Sequence, residues 1–171
     1  MIYFAEYASP IGILTLTATS AALTGLYIHG QKYHPDTTPF RQVPLEANPI
    51  LTSAASWLDQ YFSGSAPSPT TLPLSPAGTP FRLRVWSHLC RISYGQTTTY
   101  GAIARQIAYE NNIPRMSPQA IGSAVGHNPI SIIIPCHRVV GANGSLTGYA
   151  AGTDIKRRLL ALEGNDTSRF F

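Results

Sequence analysis

The 171-residue chain is 44% hydrophobic and 12% charged, enough apolar content to bury one large domain or two small ones and too much to leave the chain disordered. Met1-Ile2-Tyr3-Phe4-Ala5-Glu6 lacks the basic start and long apolar run of a signal peptide, and no apolar stretch is long enough to span a bilayer, so a soluble, intracellular protein with no membrane partner is expected. The net charge of +4 is unevenly placed: residues 1–79 hold two basic and four acidic residues, a net of −2, whereas residues 80–171 hold ten and four, a net of +6. A basic second half fits binding of a polyanion such as nucleic acid; a solvated basic surface would give the same counts.

From Ile2 to His29 the chain reads as strands. Ile2 to Tyr7, a Ser9-Pro10-Ile11-Gly12 turn, the alternation Leu14-Thr15-Leu16-Thr17 and then Leu23 to Ile28 predict an antiparallel meander. After a polar loop, Asn48-Pro49 opens a helix in which Leu51, Ala54, Ala55, Leu58, Tyr61 and Phe62 recur at helical spacing until Gly64. Its apolar face would cover the sheet. Five prolines between residues 63 and 80 mark a connection with at most a short edge strand. The boundary is set there: a small α/β domain over 1–78, with 63–78 as the Pro-rich connection, and a second domain over 79–171.

Phe81, Val85, Leu89 and Ile92 form one apolar helical stripe in the second half, and Tyr100, Ile103, Ala104 and Ile107 another. Cys90 belongs to the first of these helices and is most simply a small core residue. Ser117-Pro118 starts a third helix ending near Gly126. Two short helices joined by a turn suggest a helix-turn-helix, and Val139-Val140 and Ser145-Leu146-Thr147 around Asn143-Gly144 predict a hairpin that supplies a wing. A last helix runs from about Asp154 to Leu162, with Lys156-Arg157-Arg158 near its start.

Ile132-Ile133-Ile134-Pro135-Cys136-His137-Arg138-Val139-Val140 is the most informative segment. A cysteine and a histidine interrupt a β-branched run that would otherwise be core. A thiol attacks well only as thiolate, which an imidazole, a cation or a helix N-terminus favours, and His137 and Arg138 are candidates for that help. A buried structural cysteine beside a surface histidine is the plain alternative. Zinc is disfavoured, because no second Cys or His stands at ligand spacing. A thiol hydrolase is harder to set aside. On an extended chain, however, adjacent side chains point to opposite faces, so Cys136 and His137 would communicate through a water rather than directly.

These residues resemble the O6-alkylguanine-DNA alkyltransferase family, also called methylated-DNA–protein-cysteine methyltransferases. The likeness rests on Asn128-Pro129-Ile130-Ser131 through Gly141, on Leu146-Thr147-Gly148-Tyr149, on Leu159-Leu160-Ala161-Leu162-Glu163, and on Thr79-Pro80-Phe81 with Tyr94-Gly95-Gln96 through Gly101. It implies an α+β chain with a ribonuclease-H-like N-terminal domain. The C-terminal winged-helix domain would bind double-stranded DNA in the minor groove and flip out an O6-alkylguanine. By the same resemblance Cys136 is nucleophile and acceptor, and His137 is a water-mediated base oriented by Glu163. Asn128 is a hinge, Tyr100 assists the leaving guanine, and Tyr149 and Lys156 belong to the substrate pocket. DNA contacts are implied at Arg115, Gln119, Ala120, Gly122, Ser123 and Arg138. The implied protein acts once per molecule, as a monomer, with no cofactor or metal. Three features depart from the pattern: Gln119 stands where an arginine is usual, with Arg115 nearby as a source of charge, the turn from Tyr109 through Met116 is long, and the loop after Tyr149 reads Ala150-Ala151-Gly152 where a second glycine is common. A non-enzymatic sensor of alkylated DNA and a plain winged-helix module are the rival readings.

Overall fold

A computed structural model covering residues 1–171 divides the chain into two units: Met1–Ala77 joined by Pro129–Ile133, and Gly78–Asn128 joined by Ile134–Phe171. In the first, β1 (Tyr3–Ser9), β2 (Gly12–Ala18) and β3 (Leu23–Ile28) form the expected antiparallel meander. A fourth strand, β4 (Arg41–Gln42), lies parallel to β1 and gives the order β3-β2-β1-β4. Two exposed polar residues carry no alternation, so this strand had no sequence signal. The Leu-Thr alternation of β2 suggests one wet face, yet Thr15 and Thr17 are buried along with Leu14 and Leu16. Thr17 satisfies its hydroxyl against Thr24 at 2.9 Å, and the Tyr27 ring lies so close to Gly25 that a Cβ there would overlap it.

Helix α1 (Pro49–Phe62) begins where Asn48 Oδ1 accepts the amides of Ile50 and Leu51 at 2.8 and 3.3 Å, a cap worth about 1 kcal/mol. Leu51, Ala54, Trp57, Leu58 and Tyr61 form its buried stripe and pack it on the sheet. Pro129–Ile133 joins this unit by backbone pairing: Leu26 N donates to Pro129 O at 2.9 Å and Ser131 N to Leu26 O at 3.0 Å.

The second unit holds α2 (Pro80–Leu89), β5 (Thr98–Thr99), α3 (Tyr100–Glu110), α4 (Pro118–Gly126), β6 (Val139–Val140) and α5 (Thr153–Leu162). Thr79, Thr99 and Ser117 cap α2, α3 and α4 in turn. The indole of Trp86 donates to Ala124 O at 2.8 Å and anchors α4 against α2. Cys90 is half-buried at the C-cap of α2, not in the core. The expected wing hairpin does not form. Val139–Val140 pairs in parallel with Thr98–Thr99, while Leu146 donates to Phe171 O at 2.6 Å and Phe171 donates to Gly144 O at 3.1 Å. Asn143-Gly144 still makes a turn, closed by Gly141 N to Ser145 O at 2.9 Å, but the strands beside it find other partners. Phe170, Val140, Leu146 and Leu160 close a small core beneath that turn. No helix is long and apolar enough to cross a membrane.

Candidate active site

The β-branched run ahead of the cysteine is not a strand. Ile132 has φ +70°, a left-handed conformation that costs a β-branched residue about 1–2 kcal/mol, so the backbone leaves the extended path there. Cys136–Arg138 then forms a single 3-10 turn, which overturns the expectation of an extended Cys-His pair on opposite faces. Cys136 and His137 are both buried all the same, and they serve two different clusters.

The first cluster surrounds the thiol. Burial is the largest influence on Cys136 and pushes its pKa up; Asn128, the charge of Lys156 and the nearby Tyr149 hydroxyl pull against it. Asn128 also donates from Nδ2 to Ile134 O at 2.8 Å, tying the end of α4 to the residues before the cysteine. Lys156 is 1% exposed, with Nζ 5.9 Å from the Tyr100 ring centre and 5.7 Å from that of Tyr149. Burial brings its pKa down to about 8, against the opposing pull of Cys136. Lys156, which the resemblance assigns to the pocket, lies inside rather than on a solvated helix start, its cation held between two aromatic faces. Burial, with the nearby Cys136 second, raises Tyr100 to about 12, which keeps its hydroxyl protonated. Tyr149 is set in place by Gly148, whose φ of +90° only glycine adopts without strain.

The second cluster is ionic. His137 Nε2 lies 2.7 Å from Glu163 Oε1, both fully buried, and the Arg138 guanidinium grips the same carboxylate through Nε (2.9 Å to Oε2) and Nη2 (2.9 Å to Oε1). Gly95 N adds a bond at 3.3 Å, and Arg138 Nη1 donates to Ile92 O at 2.5 Å. Burial alone would raise Glu163, but its bonds from His137 and Arg138 hold it down at about 2. Burial lowers His137 more than Glu163 raises it, so the ring is neutral near pH 7. A neutral ring donating to the carboxylate from Nε2 has Nδ1 as its basic nitrogen. The implied DNA contact at Arg138 is corrected here. Its guanidinium is buried and committed to Glu163 and Ile92, so it cannot meet a phosphate.

Beside Tyr100, at the start of α4, a cavity of about 280 Å³ is lined by Tyr100, Pro118, Gln119, Gly122, Thr147 and Gly148. Tyr100, Gln119 and Gly122 were expected at the site; Thr147 and Gly148 enter through the fold. Ser117 Oγ donates to Gln119 Oε1 at 2.9 Å and draws that side chain back toward the helix start. Ser123 is exposed and Ala120 half-buried on α4, while Arg115 lies outside this cavity, in the turn before the helix. The sequence reading missed Gly95 and the carbonyl of Ile92, backbone groups that carry no residue signature.

A helix-turn-helix unit with one sequestered thiol and a His-Glu pair behind it is the make-up of a cysteine-dependent protein that acts on nucleic acid. The chain belongs to the 6-O-methylguanine DNA methyltransferase family, matching its DNA binding domain over residues 80–165 and its ribonuclease-like domain over residues 2–76. It is 42% identical over 163 residues to a methylated-DNA–protein-cysteine methyltransferase of Mycolicibacterium paratuberculosis, covering 95% of this chain and 93% of the relative. One from Haemophilus influenzae is 37% identical over 162 residues, covering 95% and 86%. The crystal structure of Mycobacterium tuberculosis OGT in complex with DNA superposes with a TM-score of 0.82 at 40% identity, covering 98% of this chain and 94% of that one.

Proposed function

We propose that this chain repairs alkylated DNA by moving the methyl group of O6-methylguanine irreversibly onto Cys136 Sγ, as a single-use methyltransferase. The observation that carries this reading is the setting of Cys136: a buried thiol beside Asn128 and in the field of Lys156, next to Tyr100, which lines an open cavity. The protein acts inside the cell, in the cytoplasm, as a monomer on duplex DNA. The small residues Ala120, Gly122 and Ser123 allow α4 to approach the minor groove closely, and the damaged base rotates out of the stack into the cavity.

Burial keeps the thiol protonated at rest, so activation accompanies attack. The thiol proton passes through a water to His137 Nδ1, which Glu163 orients and whose developing charge it balances. Sγ attacks the methyl carbon, an S–C bond forms, the C–O6 bond breaks, and its electron pair goes to guanine. Tyr100 donates a proton to the departing base and later recovers one from solvent. Asn128 acts as the hinge that holds the cysteine turn to α4, and Tyr149 walls the pocket. A thioether has no route back to thiol, so each molecule acts once, and the chemistry calls for no cofactor. A sensor of alkylated DNA would need no acceptor, and Cys136 supplies one.

Intact mass before and after mixing with a duplex carrying one O6-methylguanine tests the proposal. Each chain is expected to gain one methyl group in place of a proton, mapped to Cys136; methylation at Cys90, or none, would refute it. Lys156 gives a second expectation. Lys156→Met is expected to slow single-turnover transfer by about tenfold or more, the consequence of losing a cation worth at least about one pKa unit to the thiolate. The rate deficit is expected to narrow as pH rises. A pH-independent deficit would assign Lys156 to packing alone.

A further inference from the structure

The long turn between α3 and α4 builds a second concavity, separate from the base pocket. A groove of about 390 Å³ has a floor that includes Ala104, Ala108 and Ile113, a rim formed by Arg105 and Arg115, and no acidic residue in its lining. Both arginines are exposed, and neither guanidinium has a carboxylate partner. The turn is held in place. Ile113 N donates to Ala108 O at 3.0 Å, Asn112 takes φ +53°, Asn111 Nδ2 donates to Ile107 O at 2.7 Å, and Arg84 Nη1 donates to Asn111 Oδ1 at 2.8 Å. Pro118 lines both this groove and the cavity at Tyr100, so the two adjoin at the start of α4.

We infer that this groove is a second DNA-backbone site, in which Arg105 and Arg115 each neutralise a phosphate of the strand flanking the damaged base while the apolar floor packs against deoxyribose. The inference rests on the reading that the chain acts on duplex DNA. Charge and adjacency carry it. Two unpaired cations separated by an apolar strip match a backbone in which anionic phosphates alternate with uncharged sugars, and any strand that presents a base to the pocket passes over Pro118. Arg105 thereby becomes a positioning residue for the transfer reaction, and Arg115 acts on the backbone rather than in the gap left by the base.

The test measures binding of a duplex carrying one O6-methylguanine against salt concentration, for wild type, the double variant Arg105→Gln/Arg115→Gln, the charge-retaining Arg105→Lys/Arg115→Lys, and Lys32→Gln in the first unit as a control for bulk charge. Neutralising two phosphates sets the salt slope, so the glutamine pair is expected to flatten it by about two units and to weaken binding about tenfold or more at low salt. The lysine pair is expected to keep the slope, and Lys32→Gln to leave it unchanged. A wild-type slope in the glutamine pair, or the same loss in Lys32→Gln, would overturn the inference; the first of these would leave the groove to an acidic protein segment instead. Intact mass is read in the same wild-type samples. If wild type is not methylated at Cys136 the parent reading has failed; if it is methylated and the slopes agree, only the groove assignment has.

Discussion

Cys136→Ala is expected to transfer no methyl group at any time or DNA concentration, while still binding a duplex that carries O6-methylguanine. The substitution removes the only atom proposed to bond the methyl carbon, and no other group in the pocket replaces it: Tyr100 stays protonated near pH 7, and Lys156 carries a proton until about pH 8. The cost to stability is local. Asn128 loses an acceptor, a loss of about 1–3 kcal/mol for a buried donor, which leaves a domain with the rest of its core in place. Calorimetric unfolding, DNA affinity and intact mass on one preparation check all three statements. Cys90→Ala is the matched control, since its half-buried position at the end of α2 gives it no part in the pocket. Transfer by Cys136→Ala, or loss of transfer by Cys90→Ala, would move the acceptor and end the proposal.

Glu163→Gln is expected to slow transfer by about 10²-fold or more, the usual contribution of a positioned general base and its orienting partner. The variant also does something the sequence alone did not suggest. Glu163 is the sole carboxylate facing the buried Arg138, and a glutamine there leaves a guanidinium without a counter-charge, at a cost of about 3–5 kcal/mol. The two effects separate in a double-mutant cycle. Glu163→Gln with Arg138→Met is expected to recover most of the stability, because no buried charge remains, yet to stay slow, because His137 still lacks its carboxylate. Recovery of rate along with stability would reduce Glu163 to a structural residue. The pH dependence of wild type follows from the same network. Glu163 titrates near 2 in the fold, below its ordinary 4.5, so its stabilisation is fully present above about 4.5 and is lost as pH falls toward 2. His137 is lowered by burial, so the transfer rate is expected to hold below the ordinary histidine pKa before it declines.

Much of the architecture could be read from local chemistry. The meander, the Asn48-Pro49 cap, the α3 stripe and the Ser117-Pro118 start all appear in the fold, since each depends on neighbours within one turn or one strand. The wing failed for a reason of the same kind. Asn143-Gly144 does turn the chain, but which strand pairs with Val139–Val140 depends on Thr98–Thr99, forty residues earlier, and on Phe171. Strand β4 had too few residues to carry a period at all.

What the sequence determined by itself was the identity of the candidate reactive pair, one cysteine preceded by proline and followed by histidine, and an uneven charge, while the distant Glu163 entered only through the family resemblance. These are matters of side-chain type and spacing, which survive without coordinates. What only the tertiary structure decided was the environment of each group. It buried Arg138 against Glu163 where a DNA contact was expected, enclosed Lys156 between Tyr100 and Tyr149, and curled Cys136–Arg138 into a turn. It also placed Pro129–Ile133 with the first unit, beyond any contiguous boundary drawn at the prolines. Charge counts and periodicity describe a residue's own preference, whereas desolvation and ion pairing depend on partners brought together from far along the chain, and in this protein those partners decide which cation serves the thiol, which serves the glutamate and which are left for DNA.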